Sequence, residues 1–336
     1  MRWIAGLLGG PARRTYVAAF PPDRFFCLLD ELPLHLLPQE TANALLYDDL
    51  SEPLFFSPEC LMLTAGQLPE ELLSQPELVS DFALQGTVAW VRESTGLFPL
   101  PFWLGPKLES TIRSLRSDQD ARDILSPDEC RILAVAGILS GGKIANSTRN
   151  SPEFVDELRR TYCERDYAVF PRLLHPFHVA ALRSYYRCLI RRGAIRLGDA
   201  QSPRRYVAYN EPVARFFHRY LTKMVSAVAG EPVKPSYVYM ASYLSGAELK
   251  KHTDREQCEF SISLCLDFSP EPEGATPWPL CLDTPKGTVR VRLALSDGLF
   301  YRGTRVPHYR ERLNDGFTSG SIFFHYVSAN FTGALG

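Results

Sequence analysis

The chain has 336 residues, of which 45% are hydrophobic and 22% are charged. This is ordinary globular composition, so most of the chain should pack around apolar cores, and the length allows two domains. The formal net charge of −1 provides no bulk attraction to nucleic acid or to an anionic membrane surface. We therefore predict neither a nucleic-acid partner nor a membrane partner.

Eight cysteines are scattered along the chain, and no two of them are spaced as C-x-x-C. A structural zinc site is therefore not predicted. A mixed core of this size does not need disulfides. We expect the thiols to be reduced and mostly buried, and the protein to be cytoplasmic.

Residues 1–150 contain many prolines, aromatic residues and short apolar runs. Leu61–Leu84 and Ser126–Leu139 are predicted helices, and the second opens with a capping-box pattern in which Glu129 follows Ser126 by three residues. The polar, glycine-containing stretch Ser140–Asn150 predicts a domain boundary or an exposed loop. We interpret residues 1–150 as a mixed, mostly helical region, and our hypothesis is that it serves as a substrate-recognition or lid domain.

Two further helices are predicted in the next part of the chain, over Phe177–Arg192 and Glu211–Ala229. Each has apolar residues at helical spacing and is followed by a glycine, the residue typical of a helix C-terminus. Ile195–Asn210 links them.

The chain beyond residue 235 consists of short β-type runs separated by Pro, Gly, Asp and Asn. Phe260, Ile262 and Leu264 alternate with polar or small residues, which is the period of a strand. Strands this short and closely spaced favour a sandwich or barrel, with the two helices on one face of the larger sheet. The predicted strands are Tyr237–Tyr243, Glu259–Leu266, Leu280–Asp283, Val289–Leu293, Gly298–Tyr301, Pro307–Arg312 and Ser319–Val327.

One cluster of metal-binding residue types is predicted among these strands. His252 and Asp254 are two residues apart and point the same way from an extended segment, and His308 lies on another predicted strand. Two imidazoles and one carboxylate form the facial triad of non-haem iron(II) enzymes, which leaves open coordination positions. In a chain with seven histidines an H-x-D pattern also arises by chance. The alternative interpretation is that His252 and Asp254 form a surface pair. The position of these residues and of His308 at strand ends favours a metal triad instead.

Residues from about 160 to 327 resemble the 2-oxoglutarate/Fe(II)-dependent dioxygenase superfamily, closest to its prolyl-hydroxylase-like and phytanoyl-CoA-dioxygenase-like branches. Tyr167–Leu174 is similar to the strand that opens such domains. Tyr243 and Gly246 precede the first ligand pair, and Gly298 and Gly303 precede the second histidine, as in the family. The resemblance implies an α+β fold in which residues 151–336 form a double-stranded β-helix (jelly-roll) oxygenase domain with flanking helices.

The resemblance also implies the chemistry. His252, Asp254 and His308 would bind Fe(II), with 2-oxoglutarate as cosubstrate and O2 as oxidant. Such an enzyme is a hydroxylase that acts on an unactivated C–H bond and releases succinate and CO2. The retained Asp254 argues against the halogenating branch of the family, whereas desaturation or ring formation uses the same iron site and stays open.

The chain departs from the family at the residue that binds the distal carboxylate of 2-oxoglutarate. Many members have an arginine or lysine on the last strand, where this chain has Ser319 and Ser321. A buried carboxylate still needs a cation. Alternation puts Arg310 on the same strand face as His308, so we predict that Arg310 fills this role. The rivals are Arg312, Arg302 and Arg292, and the further candidate contacts are Ser319, Ser321 and Tyr243.

The substrate is less well defined by the sequence. The long N-terminal region favours a peptide, protein or carrier-bound substrate, and Arg204, Arg205 and Tyr206 in the inter-helix linker are candidate lid or substrate-contact residues. Two alternatives stay open, a small-molecule hydroxylase of natural-product biosynthesis and a non-catalytic β-helix binding module.

The other histidines are not predicted to be ligands. His175 and His178 stand at a helix start and are expected to cap or pack. His218 is expected to be exposed on a helix, and His325 is expected to be a hydrogen-bonded histidine within the last strand.

Overall fold

The computed structural model describes residues 20–21, 23–47, 50–64, 66–141 and 151–336. The chain divides into two compact units. The first comprises the described residues within 1–93 and 98–147 together with Ala180–Cys188, and the second comprises 94–97, those within 148–179, and 189–336. The predicted domain boundary falls largely on 142–150, outside the described residues, so it stays a prediction.

The first unit is built around a three-stranded antiparallel sheet, in the order β2 (Cys60–Thr64), β3 (Thr87–Val91) and β4 (Leu100–Leu104). Every residue of β3 and β4 is buried, as expected for short runs of β-branched and aromatic residues. The strands are β1 (Phe55–Phe56), β2 (Cys60–Thr64), β3 (Thr87–Val91), β4 (Leu100–Leu104) and β5 (Leu139–Ser140), and the helices are α1 (Gln39–Tyr47), α2 (Glu70–Leu73), α3 (Pro106–Ser114) and α4 (Pro127–Val135).

The two helices predicted in this region have different outcomes. The predicted helix Leu61–Leu84 is wrong, because its first residues pair with β3 as strand β2 and only the single turn α2 and a 3₁₀ turn follow. Cross-strand pairing there outweighs the helical spacing of the leucines. The predicted capping box is confirmed at the start of α4, where Ser126 and Glu129 bond to each other's backbone N–H groups. The central sheet was not predicted.

The two helices predicted after residue 150 are present, whereas the helix Pro152–Arg165 was not predicted. The predicted helix Glu211–Ala229 is present as two consecutive helices that meet at Leu221, and Gly230 ends them with a left-handed φ of 79°. The helices are α5 (Pro152–Arg165), α6 (Pro176–Arg191), part of which belongs to the first unit, α7 (Pro212–Tyr220) and α8 (Thr222–Ala229).

Two antiparallel sheets form the body of the second unit. Their strands are β6 (Tyr167–Phe170), β7 (Arg196–Leu197), β8 (Arg205–Tyr209), β9 (Val233–Tyr243), β10 (Leu249–His252), β11 (Phe260–Ser269), β12 (Leu280–Thr284), β13 (Gly287–Val291), β14 (Gly298–Tyr301), β15 (His308–Arg310) and β16 (Thr318–Ser328). The larger sheet has the order β6-β14-β11-β16-β9-β8-β7, and the smaller sheet has the order β10-β15-β12-β13.

The chain winds between these sheets as a jelly roll. Strands β9, β11, β14 and β16 lie in the larger sheet and β10, β12, β13 and β15 in the smaller, so from β9 to β16 the chain changes sheet at every step except between β12 and β13. This winding is the double-stranded β-helix topology that the sequence predicts. The prediction of an α+β jelly roll with flanking helices is therefore confirmed for the second unit.

The inner faces of the two sheets enclose an apolar core that also contains polar side chains. Its members include Tyr243, Leu282, Leu299, Tyr301 and Phe323, all of them buried. Because strand side chains alternate, the inner face of β11 carries serines while Phe260, Ile262 and Leu264 are buried on its other face. Polar groups are thus buried inside the barrel.

The linker Ile195–Asn210, which the sequence predicts to be a lid or substrate loop, is instead part of the larger sheet. Strands β7 and β8 form a hairpin there, and β8 pairs with β9 along its whole length. Arg205 on β8 is fully buried. The β-type run Arg205–Tyr209 has enough apolar and aromatic character to join an existing sheet edge.

Two further predictions concern cysteines and membranes. All eight cysteines lie within the described residues, form no disulfide, and six are buried, as the sequence predicts. No helix among the described residues is long and apolar enough to cross a membrane.

Candidate metal centre

The three predicted metal ligands come from neighbouring strands of the smaller sheet. His252 is the last residue of β10 and His308 the first of β15, and the two are paired in register. Asp254 follows β10 by two residues, and its backbone N–H donates to the Gly303 carbonyl at 2.9 Å. This bond anchors the segment that carries the carboxylate.

The side-chain donor atoms of this triad converge. Asp254 Oδ1 lies 3.5 Å from His308 Nε2 and 3.7 Å from His252 Nε2, and the two imidazole centroids are 4.4 Å apart. All three donor atoms lie within 4.8 Å of one another. The structure therefore brings together the residues that the sequence singles out.

Hydrogen bonds define the tautomer of both histidines. His252 Nδ1 lies 2.8 Å from the Lys250 carbonyl oxygen, and His308 Nδ1 lies 3.0 Å from the Val306 carbonyl oxygen. A carbonyl only accepts, so Nδ1 carries the proton in each ring and Nε2 presents a lone pair. This arrangement, with the outer nitrogen bonded to a backbone carbonyl, is the one that orients histidine ligands in metal sites.

The charge states of the triad suit a cation. Burial opposes ionisation of Asp254, but the His308 and His325 imidazoles and the Ser261 hydroxyl outweigh it and hold the pKa of the carboxyl at about 2. Burial, and then the neighbouring His308 ring, lower the pKa of His252. A carboxylate and two imidazole lone pairs that face one point repel each other unless a cation lies among them. The donor set therefore fits a divalent metal ion.

A buried arginine lies deeper in the same barrel. Arg310 is 6% exposed, its Nη1 donates to the Trp278 carbonyl at 2.7 Å, and its guanidinium lies 4.6 Å from the centroid of the Trp278 ring. Its Nε is buried without a hydrogen-bond partner, and no acidic side chain among the described residues pairs with it. A buried cation without a counter-ion is costly, so this site calls for an anionic ligand.

Arg205 is also buried, but its charge is already neutralised. Its guanidinium bonds to Asp199 and to Gln201, and Nη1 donates to the Tyr243 hydroxyl at 3.1 Å. Tyr243 in turn packs against Trp278, with ring centroids 5.2 Å apart. Arg205 is thus a structural cation, whereas Arg310 has spare positive charge.

The remaining candidate cosubstrate residues separate into buried and exposed groups. Ser319 and Ser321 are buried on the inner face of β16, in register with Tyr243 and Ala241 of β9. Arg312 is exposed and pairs with Asp315 at 2.9 Å. Arg312 does not continue the alternation of His308 and Arg310, because β15 ends at Arg310.

The three residues proposed from the linker have different environments. Arg205 is buried as described, while Arg204 donates to the Ser245 carbonyl at 3.0 Å and is exposed, and Tyr206 is half-buried. Arg205 and Tyr206 lie in a strand that pairs with β9 rather than in a loop, and the part that these residues play in substrate contact stays a prediction.

The other predicted histidines also have distinct outcomes. His175 Nδ1 accepts a hydrogen bond from the Phe177 N–H at the start of α6, as predicted for a capping residue. The prediction that His218 is exposed is wrong. Its ring is buried, its Nε2 lies 2.8 Å from the His325 carbonyl oxygen, and burial lowers its pKa to about 3.

Sequence reasoning missed two polar residues beside the triad. Ser261 donates to Asp254 Oδ2 at 2.8 Å, and His325 lies opposite Ser261 in the register of β11 and β16. The available signal was the serine at an inward position of an apolar strand, next to a histidine in another apolar strand.

No family model and no curated protein matches this chain. Among solved structures, the chain is similar to the non-haem α-ketoglutarate-dependent epimerase SnoN from nogalamycin biosynthesis, with 15% identity, a TM-score of 0.45, and coverage of 53% of this chain and 84% of that one. It is also similar to a prolyl-4-hydroxylase from Pseudomonas putida (14% identity, TM-score 0.43, covering 52% and 99%). A third similar structure is an oxidoreductase of the 2OG-Fe(II) oxygenase family from Burkholderia pseudomallei, with 12% identity, a TM-score of 0.42, and coverage of 54% of this chain and 92% of that one.

Proposed function

We propose that this chain is an Fe(II)- and 2-oxoglutarate-dependent oxygenase. The observation that carries the proposal is the convergence of His252 Nε2, Asp254 Oδ1 and His308 Nε2 on one point inside the mouth of a jelly roll. Two histidines and one carboxylate with open positions are the ligand set of non-haem iron oxygenases.

Each residue has a defined part in this proposal. His252, Asp254 and His308 would hold Fe(II), which when bound supplies O2 activation coupled to oxidative decarboxylation of 2-oxoglutarate. Lys250 and Val306 keep the two imidazoles in the tautomer that ligation needs through their carbonyl oxygens. The buried barrel interior excludes water from the reaction.

The cosubstrate would extend from the metal toward Arg310. Its distal carboxylate would neutralise Arg310, a buried cation that has no acidic partner among the described side chains. Ser319, Ser321 and the Tyr243 hydroxyl lie on the inner face of the opposite sheet and would contribute hydrogen bonds.

The reaction we propose is hydroxylation of an unactivated C–H bond, with release of succinate and CO2. For the substrate we propose a peptide, protein or carrier-bound group, because the chain has a first compact unit in addition to the jelly roll. We propose a substrate-recognition role for that unit within residues 1–150. A small-molecule hydroxylase has the same site, and a cytoplasmic location stays a prediction.

Anaerobic titration with Fe(II) and 2-oxoglutarate tests the site. We expect the weak visible charge-transfer band of a chelated 2-oxo acid in wild type and its loss in His252→Ala. His35→Ala is the matched control, because His35 is an exposed histidine in the first unit. A wild-type protein that binds neither metal nor cosubstrate would favour the non-catalytic binding module.

The substrate class is tested with the whole chain. Ala180–Cys188 of α6 belongs to the first unit, so deleting residues 1–150 would also remove packing partners of this helix. We expect succinate formation to be stimulated by the macromolecular fraction of a cell extract. Stimulation confined to the small-molecule ultrafiltrate would instead favour the natural-product alternative.

A further inference from the structure

Asp254 has two carboxylate oxygens in different surroundings. Oδ1 faces the two imidazoles of the triad, whereas Oδ2 accepts a hydrogen bond from Ser261 Oγ at 2.8 Å. Ser261 is fully buried on the inner face of β11. One oxygen is therefore presented to the metal position and the other is held by the protein.

A third side chain holds the serine. His325 Nδ1 lies 2.9 Å from Ser261 Oγ. An ionised carboxylate only accepts, so the single hydroxyl hydrogen of Ser261 goes to Asp254. His325 must then donate its Nδ1–H to the serine oxygen, which places one hydrogen between each pair of atoms.

We propose that Ser261 and His325 form a positioning pair that holds Asp254 as a one-oxygen metal ligand. The proposal rests on the metal site of the proposed function and adds two residues to it. A carboxylate that turns to bind through both oxygens would take a coordination position that the cosubstrate or O2 needs. The Ser261 hydroxyl prevents this turn by occupying Oδ2.

The surrounding packing leaves Asp254 and Ser261 little freedom to rearrange. A Cβ at position 303 would overlap Asp254 Oδ2 and lie 2.6 Å from Ser261 Oγ, so Gly303 leaves only the space that the carboxylate and hydroxyl fill. The His325 ring packs against Tyr237, with centroids 4.6 Å apart. The packing around Ser261 and His325 therefore limits the movement of both side chains.

Cobalt(II) binding without 2-oxoglutarate tests the pair by affinity and by visible d–d absorption. We expect Ser261→Ala and His325→Phe each to weaken Co(II) binding by about tenfold, the effect typical of removing an outer hydrogen-bond partner of a ligand. We also expect a weaker d–d band, because a two-oxygen carboxylate raises the coordination number. His325→Phe keeps an aromatic ring beside Tyr237 and removes only the donor.

The matched control is Ser263→Ala, two residues along β11 on the same inner face, where the buried hydroxyl has no hydrogen-bond partner. It should bind Co(II) as wild type does. The double variant Ser261→Ala/His325→Phe should lose no more affinity than either single variant, because the two residues act as one unit.

Several results would overturn the proposal. Wild-type affinity and spectrum in both Ser261→Ala and His325→Phe would do so, as would an equal loss in Ser263→Ala. If one variant does not fold, the other decides, and failure of both to fold would assign the pair to the fold rather than to the metal. If wild type itself binds no Co(II), it is the proposed metal site that fails.

Discussion

At the scale of the residue, the distribution of buried charge distinguishes the two inner arginines. Arg205 is bonded to Asp199, whereas Arg310 has only a backbone carbonyl and the face of Trp278. The free energy of an uncompensated buried cation is unfavourable until an anion binds. A residue kept at such a cost is a candidate for ligand binding rather than for stability.

The variant Arg310→Met tests this role, because it should lower the affinity for 2-oxoglutarate and raise the free energy of unfolding. The variant should lose affinity for 2-oxoglutarate by roughly 100-fold, since a charge-assisted pair is removed, while Fe(II) binding is retained. Without ligand its free energy of unfolding should rise by about 1 kcal/mol, because the unpaired buried charge is gone. Calorimetric titration and urea unfolding measure the two effects. Arg312→Met, which changes an exposed arginine, should alter neither.

At the scale of the element, the β7–β8 hairpin extends the larger sheet beyond β9 and contains a buried ion pair. Arg205 is fully buried and Asp199 is 18% exposed at the side chain. The guanidinium reaches over the inner face to the Tyr243 hydroxyl, so the pair connects the hairpin to the barrel interior.

Asp199→Ala should lower the free energy of unfolding by about 3 kcal/mol, because it leaves Arg205 buried and unpaired. Burial opposes ionisation of Asp199, but the bonds from Arg205 lower its pKa overall. A depressed carboxyl pKa stabilises the fold above the unfolded pKa, and this contribution is lost as the pH falls through the folded pKa. Urea unfolding at neutral and acidic pH measures both. Asp315→Ala, at the exposed pair with Arg312, should cost under about 0.5 kcal/mol.

At the scale of the whole molecule, buried neutral histidines make stability depend on mild acid. Burial lowers the pKa of His218 to about 3 and that of His325 to about 4. In the unfolded chain both rings would take up protons below their ordinary pKa near 6.5. The unfolded state therefore binds more protons in this window, and stability falls as the pH drops from about 6.5 toward 3.

We expect His218→Gln to flatten this dependence, because the amide can still donate to the His325 carbonyl but does not titrate. The slope of unfolding free energy against pH between about 4 and 6.5 should decrease relative to wild type, by an amount on the order of one proton. An unchanged slope would show that His218 does not contribute. His35→Gln, at an exposed histidine, serves as the control.

The sequence by itself determined the features that depend on short-range pattern. The β-type runs over residues 235–327 predicted seven of the eight strands from β9 to β16, all but β10, and the spacing of His252 and Asp254 predicted two ligands on one side of the chain. The capping box at Ser126 was equally local. Such patterns are readable because side-chain direction repeats every two residues in a strand and every 3.6 in a helix.

Only the tertiary structure decided which distant residues meet. The contact between Ser261 and His325 depends on the register of β11 and β16, and a shift of one residue in either strand would turn the side chain of that strand to the other face. The burial of Arg205 and of His218 likewise depends on partners far along the chain, and so does the strand at Cys60–Thr64. Burial and strand register are collective properties of the packed chain, so local spacing predicted the metal ligands but not the pair that holds them.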